Sequence, residues 1–397
     1  MQHVFSYESD PYLRELTTEV RETGVEGDRP FAVLADTILY PEGGGQPADH
    51  GFIGEIAVLD VQRRETVIRH YLERPVKPGP ASLRVDWHRR FDHMQQHTAQ
   101  HLLSAVADDR FNWPTTAFHL GAELCDIELA VADLPGGELE LLEEAVAAEI
   151  RAARPVTSRR VPPDHLARLA VRTRGLPAGL VGDVRLVEIE GVDLNTCGGT
   201  HVRSTAEIEA LKLLGAEPMR GGSRLHFVAG GRLRRRLAAH EARNATMRAL
   251  LGAPDHELAA VAQAKLGQLQ ATERRLRATE EELAGALAEL LAARPGAIAE
   301  AHFDGRDAGF LQRLARQLVA SAPDKAVLLT ASSGEQGLFV LAASEALAID
   351  VQALGREIAA LLEGRGGGSG RLFQGKAGLL AARPQALARL ADALRQS

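Results

Sequence analysis

Two short segments, far apart in the chain, hold residue types that bind metal. His97-Thr98-Ala99-Gln100-His101 carries imidazoles at i and i+4, and on a helix that spacing sets both rings on one face, one turn apart. Downstream, Cys197-Gly198-Gly199-Thr200-His201 offers a thiolate and a third imidazole, with two glycines that let the backbone turn tightly so that both side chains converge. Three nitrogens and one sulfur form a donor set suited to tetrahedral zinc. The chain has two cysteines in all, so the placing of one in such a loop is informative. Either segment alone is a weak signal, and the glutamate of the H-E-x-x-H zinc peptidases does not follow His97. The spacing permits a structural zinc as readily as a catalytic one.

For these ligands to meet, residues 91–106 must be helical, and Met94, Leu102, Leu103 and Val106 do fall on one helical face. Residues 138–152 read as a second amphipathic helix and 162–170 as the start of a third, while 184–189, 208–214 and 226–228 read as strands, an α+β pattern. The stretch before residue 90 is mostly β, with strand-like runs at 31–34, 37–40, 56–61 and 66–72. Pro41-Glu42-Gly43-Gly44-Gly45-Gln46-Pro47 interrupts them, and its three glycines demand a turn or a close backbone approach. Residues 231–294 are nearly free of β-branched side chains and predict a long helix or helical hairpin. There Leu269, Leu276, Leu283 and Leu290 recur every seven residues, with Leu266 and Leu287 adjoining. Glu273 and Glu280 break that seam, so a spacer packed on its own partner and an oligomerisation seam are equal readings. Helices at 310–321, 351–362 and 384–395, strands at 326–330 and 338–343, and a glycine-rich loop at 364–370 predict a small α/β domain.

Composition bounds the rest. A length of 397 residues is enough for two or three domains, and 45% apolar with 25% charged residues is ordinary for a soluble globular protein. No run of about 18 apolar residues occurs, which predicts no transmembrane helix and no membrane partner. Residues 1–10 lack a basic stretch leading into an apolar one, so no secretory leader is expected, and the sparse cysteines fit a reducing, cytoplasmic setting. With a net charge of −7, any nucleic acid must be met by a local basic patch. Arg220, Arg224, Arg232, Arg234, Arg235, Arg236 and Arg243 form one, with Glu241 the only acid between residues 220 and 243.

"HTAQHLL" and "CGGTHV", preceded by "PEGGGQPADHG", together resemble the editing domain of alanyl-tRNA synthetase, and more closely the freestanding alanyl-tRNA editing proteins of the AlaX family. "FHLG" at 118–121 and Gly191-Val192-Asp193 fit as well, and "GRGGGSGRLFQGKAG" at 364–378 is similar to the DHHA1 domain that ends the long AlaX proteins. The resemblance implies an α+β editing core with a barrel-like β-rich N-terminal subdomain, a long helical linker and a small C-terminal α/β domain. The expected segments are 1–90, 91–230, 231–295 and 296–397.

It further implies a deacylase that hydrolyses mischarged tRNA for alanine, Ser-tRNA first and Gly-tRNA as a second substrate, with Zn2+ on His97, His101, Cys197 and His201. A small amino-acid pocket cannot reject isosteric or smaller side chains by large factors, which is why a separate hydrolytic site is needed. The metal would act as a Lewis acid or as an anchor, and four protein ligands favour an organiser of the pocket. His119 falls where the family pocket meets substrate. Thr115 and Thr116 offer hydroxyls to read serine, and Asp193 is placed to hold the substrate ammonium or a ligand histidine. Gly43, Gly44, Gly45 and Gln46 would lie beside the pocket and help exclude alanine. Arg220, Arg224, Arg234, Arg235 and Arg236 would contact tRNA, with Arg365, Arg371 and Lys376 as a second basic surface, and a homodimer would form through the linker or the C-terminal domain. The competing reading is a non-catalytic zinc protein that binds tRNA or a synthetase. A synthetase fragment is disfavoured because no room for an aminoacylation domain precedes the β motif. A RecJ-like phosphoesterase is excluded because none of the four Asp-His pairs is followed by a second histidine.

Overall fold

The computed structural model describes residues 4–65, 67–173, 182–333 and 336–396. It forms two compact units, Met1–Thr246 and Met247–Ser397.

In the first unit a short helix, α1 (Ser6–Ser9), precedes β1 (Glu15–Glu26), β2 (Arg29–Leu34), β3 (Gly51–Ile53), β4 (Ile56–Arg64), β5 (Val67–Leu72) and β6 (Gly79–Val85). These six strands close into a barrel in the order β1-β2-β5-β4-β3-β6. Ile56 and Val58 fill its interior at the two-residue strand period, and an irregularity between Val58 and Asp60 shifts the next inward residue to Val61. Residues 37–40, expected as a strand, form none. They open the long β2–β3 connection, whose backbone bonds go to side chains instead: Leu39 N donates to Thr37 Oγ1 and Tyr40 N to Asp49 Oδ2.

His70 is fully buried in this barrel, with Nδ1 on the Ala32 carbonyl and Nε2 on the Thr37 hydroxyl. Burial pushes its pKa down to about 4. The folded value lies below the unfolded one of about 6.5, so the unfolded chain binds the proton more readily. The stability from neutral His70 is therefore complete above pH 6.5 and is lost as the pH falls towards 4, about 3 kcal/mol in all. A His70→Gln variant should show a shallower fall of urea midpoint between pH 6.5 and 4 than the parent; an equal slope would exclude His70 as a source of acid lability.

The central element is α2 (Trp87–Phe111), started by Asp86, which accepts from Arg89 N, and ended by Asn112 in the left-handed region at φ 58°. Met94, Leu102, Leu103 and Val106 face the core as their spacing predicts. Arg90 ties the helix to the β2–β3 connection through a fully buried ion pair with Asp49 and a bond to the Ile38 carbonyl. Around α2 pack β7 (Thr115–Leu120), β8 (Cys125–Leu129), α3 (Gly136–Arg151), β9 (Val156–Val161), β10 (Val184–Ile189), β11 (Asp193–Thr196), β12 (Leu211–Met219) and β13 (Gly222–Ala229). They make a β11-β10-β9 sheet and a β12-β13-β8-β7 sheet. A short 3-10 helix, Pro163–Arg168, stands where a third helix was expected, and a second, Thr205–Ile208, takes the first residue of the strand expected at 208–214.

Two helices, α4 (Gly230–Leu251) and α5 (Leu258–Ala292), follow and lead into β14 (Ile298–Asp304), α6 (Ala308–Ser321), β15 (Ala326–Ser333), β16 (Gln336–Ala343), α7 (Val351–Leu361), β17 (Arg365–Ser369), β18 (Leu372–Ala377) and α8 (Arg383–Gln396). The second unit is a sheet in the order β14-β15-β16-β18-β17, with α5 and α6 packed on one face and α7 and α8 on the other. On α5, Ala284, Ala288 and Leu291 are buried, with Leu283 and Leu287 beside them, whereas Leu266, Leu269, Leu276 and Leu290 are exposed. The heptad therefore does not line one buried seam. The glycine-rich stretch expected as a loop is instead the edge strand β17. A Cβ on Gly366 would stand 2.4 Å from the Gln374 carbonyl oxygen and one on Gly368 2.0 Å from that of Leu372, so β17 needs bare glycines to pair with β18.

Candidate metal centre

His97 and His101 project from the middle of α2, and Cys197 and His201 come from the loop that follows β11. One donor atom from each of the four lies within 4.8 Å of the others. Cys197 Sγ is 3.5 Å from His97 Nε2 and 3.3 Å from His201 Nε2. In a zinc tetrahedron with bonds of about 2.0–2.1 Å to nitrogen and about 2.3 Å to sulfur, the N–S edge is roughly 3.6 Å. The donor types and their separations thus fit that ion.

The other nitrogen of every imidazole is taken by a different partner. His97 Nδ1 lies 2.8 Å from Gln46 Oε1, His101 Nδ1 3.0 Å from Asp193 Oδ2 and His201 Nδ1 3.1 Å from Thr98 Oγ1. When a ring is neutral with its proton on Nδ1, its Nε2 presents a lone pair to a metal ion. Gln46 Oε1 also accepts from Thr200 N at 3.0 Å, and its Nε2 donates to Thr200 Oγ1 at 2.9 Å, so one barrel side chain clamps α2 to the Cys197 loop. Arg185 Nη1 donates to the carbonyls of Cys197 and Gly199 at 3.0 and 2.7 Å and holds that loop from behind.

The electrostatics favour a thiolate. Burial opposes the charge on Cys197, yet the neighbouring His97 and His201 and a hydrogen bond from His101 outweigh it and hold the thiol well below its usual value. Gly199 N also donates to the sulfur at 3.3 Å. Burial lowers the pKa of His201 to about 3. Burial works the same way on His101 but is overcome by its bond to Asp193, which raises it to about 10.

The glycines serve close approach more than turning. Neither Gly198 nor Gly199 has positive φ. A Cβ on Gly199 would stand 2.3 Å from His97 Cε1, whereas one on Gly198 would meet nothing within 4 Å. Gly44 and Gly45 do need the left-handed region, at φ 56° and 82°, and a Cβ on Gly45 would be 2.6 Å from the Phe118 ring. Gly43 closes that turn by donating to the Gln46 carbonyl at 3.1 Å.

Several residues expected at the site stand elsewhere. Along β7 it is Phe118 whose ring lies 5.8 Å from His97, so its neighbour His119 points to the opposite face. There the His119 side chain is 59% exposed and pairs with Asp126 at 2.9 Å. His119, Asp126 and Glu128 form a second donor group, but Arg224 already binds Glu128 at 2.7 Å and Asp126 at 3.5 Å. Thr116 is exposed and donates to the Glu128 carbonyl. Asp193 holds the ligand histidine His101 with Oδ2 at 3.0 Å, while Oδ1 lies 3.1 Å from Arg172 Nε and is buried without a hydrogen-bond partner among the described residues. The basic patch is largely neutralised by acids remote in sequence: Arg234 pairs with Glu209, Arg235 with Asp92, and Arg232 is buried on Asp92. Arg220 and Arg236 are exposed with no acid partner among the described residues. The partners Thr98 and Thr200 were not singled out in the sequence, although both lie inside the ligand motifs.

Residues 184–226, which contain Asp193, Cys197 and His201, match the family model of the threonyl and alanyl tRNA synthetase second additional domain. Alanyl-tRNA editing protein Aarsd1 of Rattus norvegicus is 37% identical over 412 residues, covering 98% of this chain and 97% of that one. The chain belongs to the alanyl-tRNA editing protein family. Alanyl-tRNA editing protein AlaX-L of Pyrococcus horikoshii is 36% identical over 217 residues, 52% of this chain and 53% of its own. Among solved structures, the C-Ala domain of Aquifex aeolicus alanyl-tRNA synthetase aligns with 24% of this chain and 89% of its own at 24% identity and a TM-score of 0.24.

Proposed function

We propose that this protein is a trans-editing deacylase: it hydrolyses the ester between a wrong amino acid and tRNA for alanine, with serine the main substrate and glycine the second. The observation that carries this reading is the convergence of Cys197 Sγ with imidazoles whose Nδ1 atoms are all occupied. Such a set is built to hold one zinc ion, and the named relatives are editing proteins. When bound, that ion supplies a fixed positive charge and an anchor at the base of the pocket. The chain's own part is to hold the four donors rigid: Gln46 and Asp193 orient His97 and His101, and Arg185 fixes the loop carbonyls. Phe118 packs on His97, and Gly45 leaves the room its ring occupies. The test is release of amino acid from Ser-tRNA, Gly-tRNA and Ala-tRNA, all built on tRNA for alanine. The reading requires serine and glycine to be released and alanine spared; no release from any of them would favour a non-catalytic tRNA-binding protein.

We assign the ester chemistry to residues 1–230 and a share of tRNA affinity to the basic surface and the residues beyond. Because Arg234 and Arg235 are paired with acids, Arg220 and Arg236 are the stronger phosphate contacts of the patch. An Arg220→Ala/Arg236→Ala variant should lower tRNA affinity and reduce the salt slope of binding by roughly one for each phosphate no longer neutralised, with little change in turnover at saturation. Equal affinity and slope would move the tRNA surface to Arg365, Arg371 and Lys376.

A further inference from the structure

Beside the metal centre, within the first unit, lies a cavity of about 470 Å3 lined by Asp10, Ser158, Arg185, Val187, His201 and Arg203 among others. His201, one of the four donors, is shared by the cavity and the centre. In the β9–β10 pairing Ser158 stands opposite Val187 and Arg160 opposite Arg185, so these four side chains occupy one face of the sheet. The charges there are uneven. Arg185 gives Nη1 to the carbonyls of Cys197 and Gly199, and no carboxylate lies within ion-pair reach of it among the described residues. Glu8, whose charge it feels, is taken by Arg160 and Arg63. Arg203 lies over the Tyr12 ring at 3.9 Å and pairs with Asp10 at 3.1 Å. Asp10 is the one acid of the lining, and its Oδ1 also accepts from Tyr12 N at 3.0 Å. Ser158 is exposed, and its hydroxyl has no hydrogen-bond partner among the described residues.

We infer that this cavity is a phosphate site of the editing centre: it takes the backbone phosphate 5′ to the terminal adenosine of the aminoacylated RNA, through Arg185, Arg203 and the Ser158 hydroxyl. This rests on the deacylase reading above. The chemistry selects an anion. The cavity offers two guanidinium groups and a free hydroxyl, and its single carboxylate is already shared between two donors. The position selects that particular phosphate. It hangs on the same sugar that carries the ester, and the cavity shares His201 with the centre where the ester is handled. The site also bears on the centre's support. The guanidinium of Arg185 that meets the phosphate is the one that holds the Cys197 and Gly199 carbonyls, so an occupied cavity steadies the loop that carries two of the four donors.

The experiment compares 3′-O-seryl-adenosine with and without a 5′-methylphosphate, which carries the single negative charge of an RNA linkage, in the parent and in Ser158→Asp, Ser158→Asn and Arg203→Gln. The parent should prefer the phosphate-bearing ester by at least about tenfold in kcat/KM, the worth of one charge-assisted hydrogen bond. Ser158→Asp adds a carboxylate to the cavity and should bring that ratio to within about twofold of one. Ser158→Asn, equal in size to Asp but neutral, should retain the preference. Arg203→Gln should lower it by at least about threefold. On the ester without phosphate all variants should match the parent to within about twofold, with zinc content unchanged. A parent without the preference, a Ser158→Asp variant that keeps it, or a Ser158→Asn variant that loses it as fully would overturn the assignment. Should Ser158→Asp not fold, an Arg203→Gln variant with the parent's ratio overturns it equally. Where neither ester reacts, calorimetric binding of 3′-seryl-amido-adenosine with and without the methylphosphate decides the phosphate site in the same variants. If Ser-tRNA is not hydrolysed either, the deacylase reading fails independently of that result.

Discussion

Cys197→Ala should purify with far less than one zinc per chain and lose deacylation of Ser-tRNA by more than about a hundredfold. The sulfur is the one anionic donor of the set, stands 3.3–3.5 Å from two imidazole nitrogens and accepts from Gly199 N. Removing it leaves three buried imidazoles to face one another without the charge that lets them share a cation. The damage should be confined to the site, because the second unit has its own cores on both faces of its sheet. Zinc by elemental analysis, deacylation rate and the melting of the second unit separate these outcomes. A zinc-free Cys197→Ala protein with full activity would show that the centre takes no part in the chemistry.

Gly199→Ala is expected to do nearly as much damage without touching a ligand. The new methyl group would stand 2.3 Å from His97 Cε1, 2.4 Å from its Nδ1 and 2.8 Å from Gln46 Oε1. None of these can retreat cheaply: His97 is on a buried helix, and the Gln46 amide is held by His97 and by Thr200 at both its backbone and its hydroxyl. A displacement of about 1 Å at such a site costs roughly a hundredfold in rate. Gly198→Ala, whose methyl meets nothing within 4 Å, should change the rate by less than about twofold. Similar rates for both variants would mean that the loop, rather than the approach to His97, sets the requirement for glycine.

The contrast between those neighbours marks where sequence reasoning reached and where it stopped. Both halves of the cluster are visible as local motifs, since i, i+4 on a helix and a five-residue loop each bring two donors together over a short span. The central helix, the β-rich character of the first ninety residues and the α/β character of the last hundred follow from residue patterning, whereas the barrel-like form of the first segment came only from the family resemblance. The partners of the ligands were not. Gln46 reaches Thr200 across 154 residues and Asp193 reaches His101 across 92, distances over which no periodicity speaks. The resemblance placed His119 at the pocket, but β7 pairs with β8 through an irregularity between Thr115 and Ala117, and the face of each later residue depends on that register. The arginines between 220 and 243 looked unopposed because Asp92, Glu128 and Glu209 are brought to them only by the fold. The glycines of β17 read as a loop because strand propensity penalises them, while the edge pairing with β18 depends on their missing side chains.

The most direct test of the account is a titration of metal-stripped protein with zinc, followed by the initial rate of serine release from Ser-tRNA built on tRNA for alanine. The rate should rise linearly and level off at one zinc per chain, with Ala-tRNA left intact throughout. A rate that is already full in the stripped protein, or one that never appears at any zinc level, would contradict it.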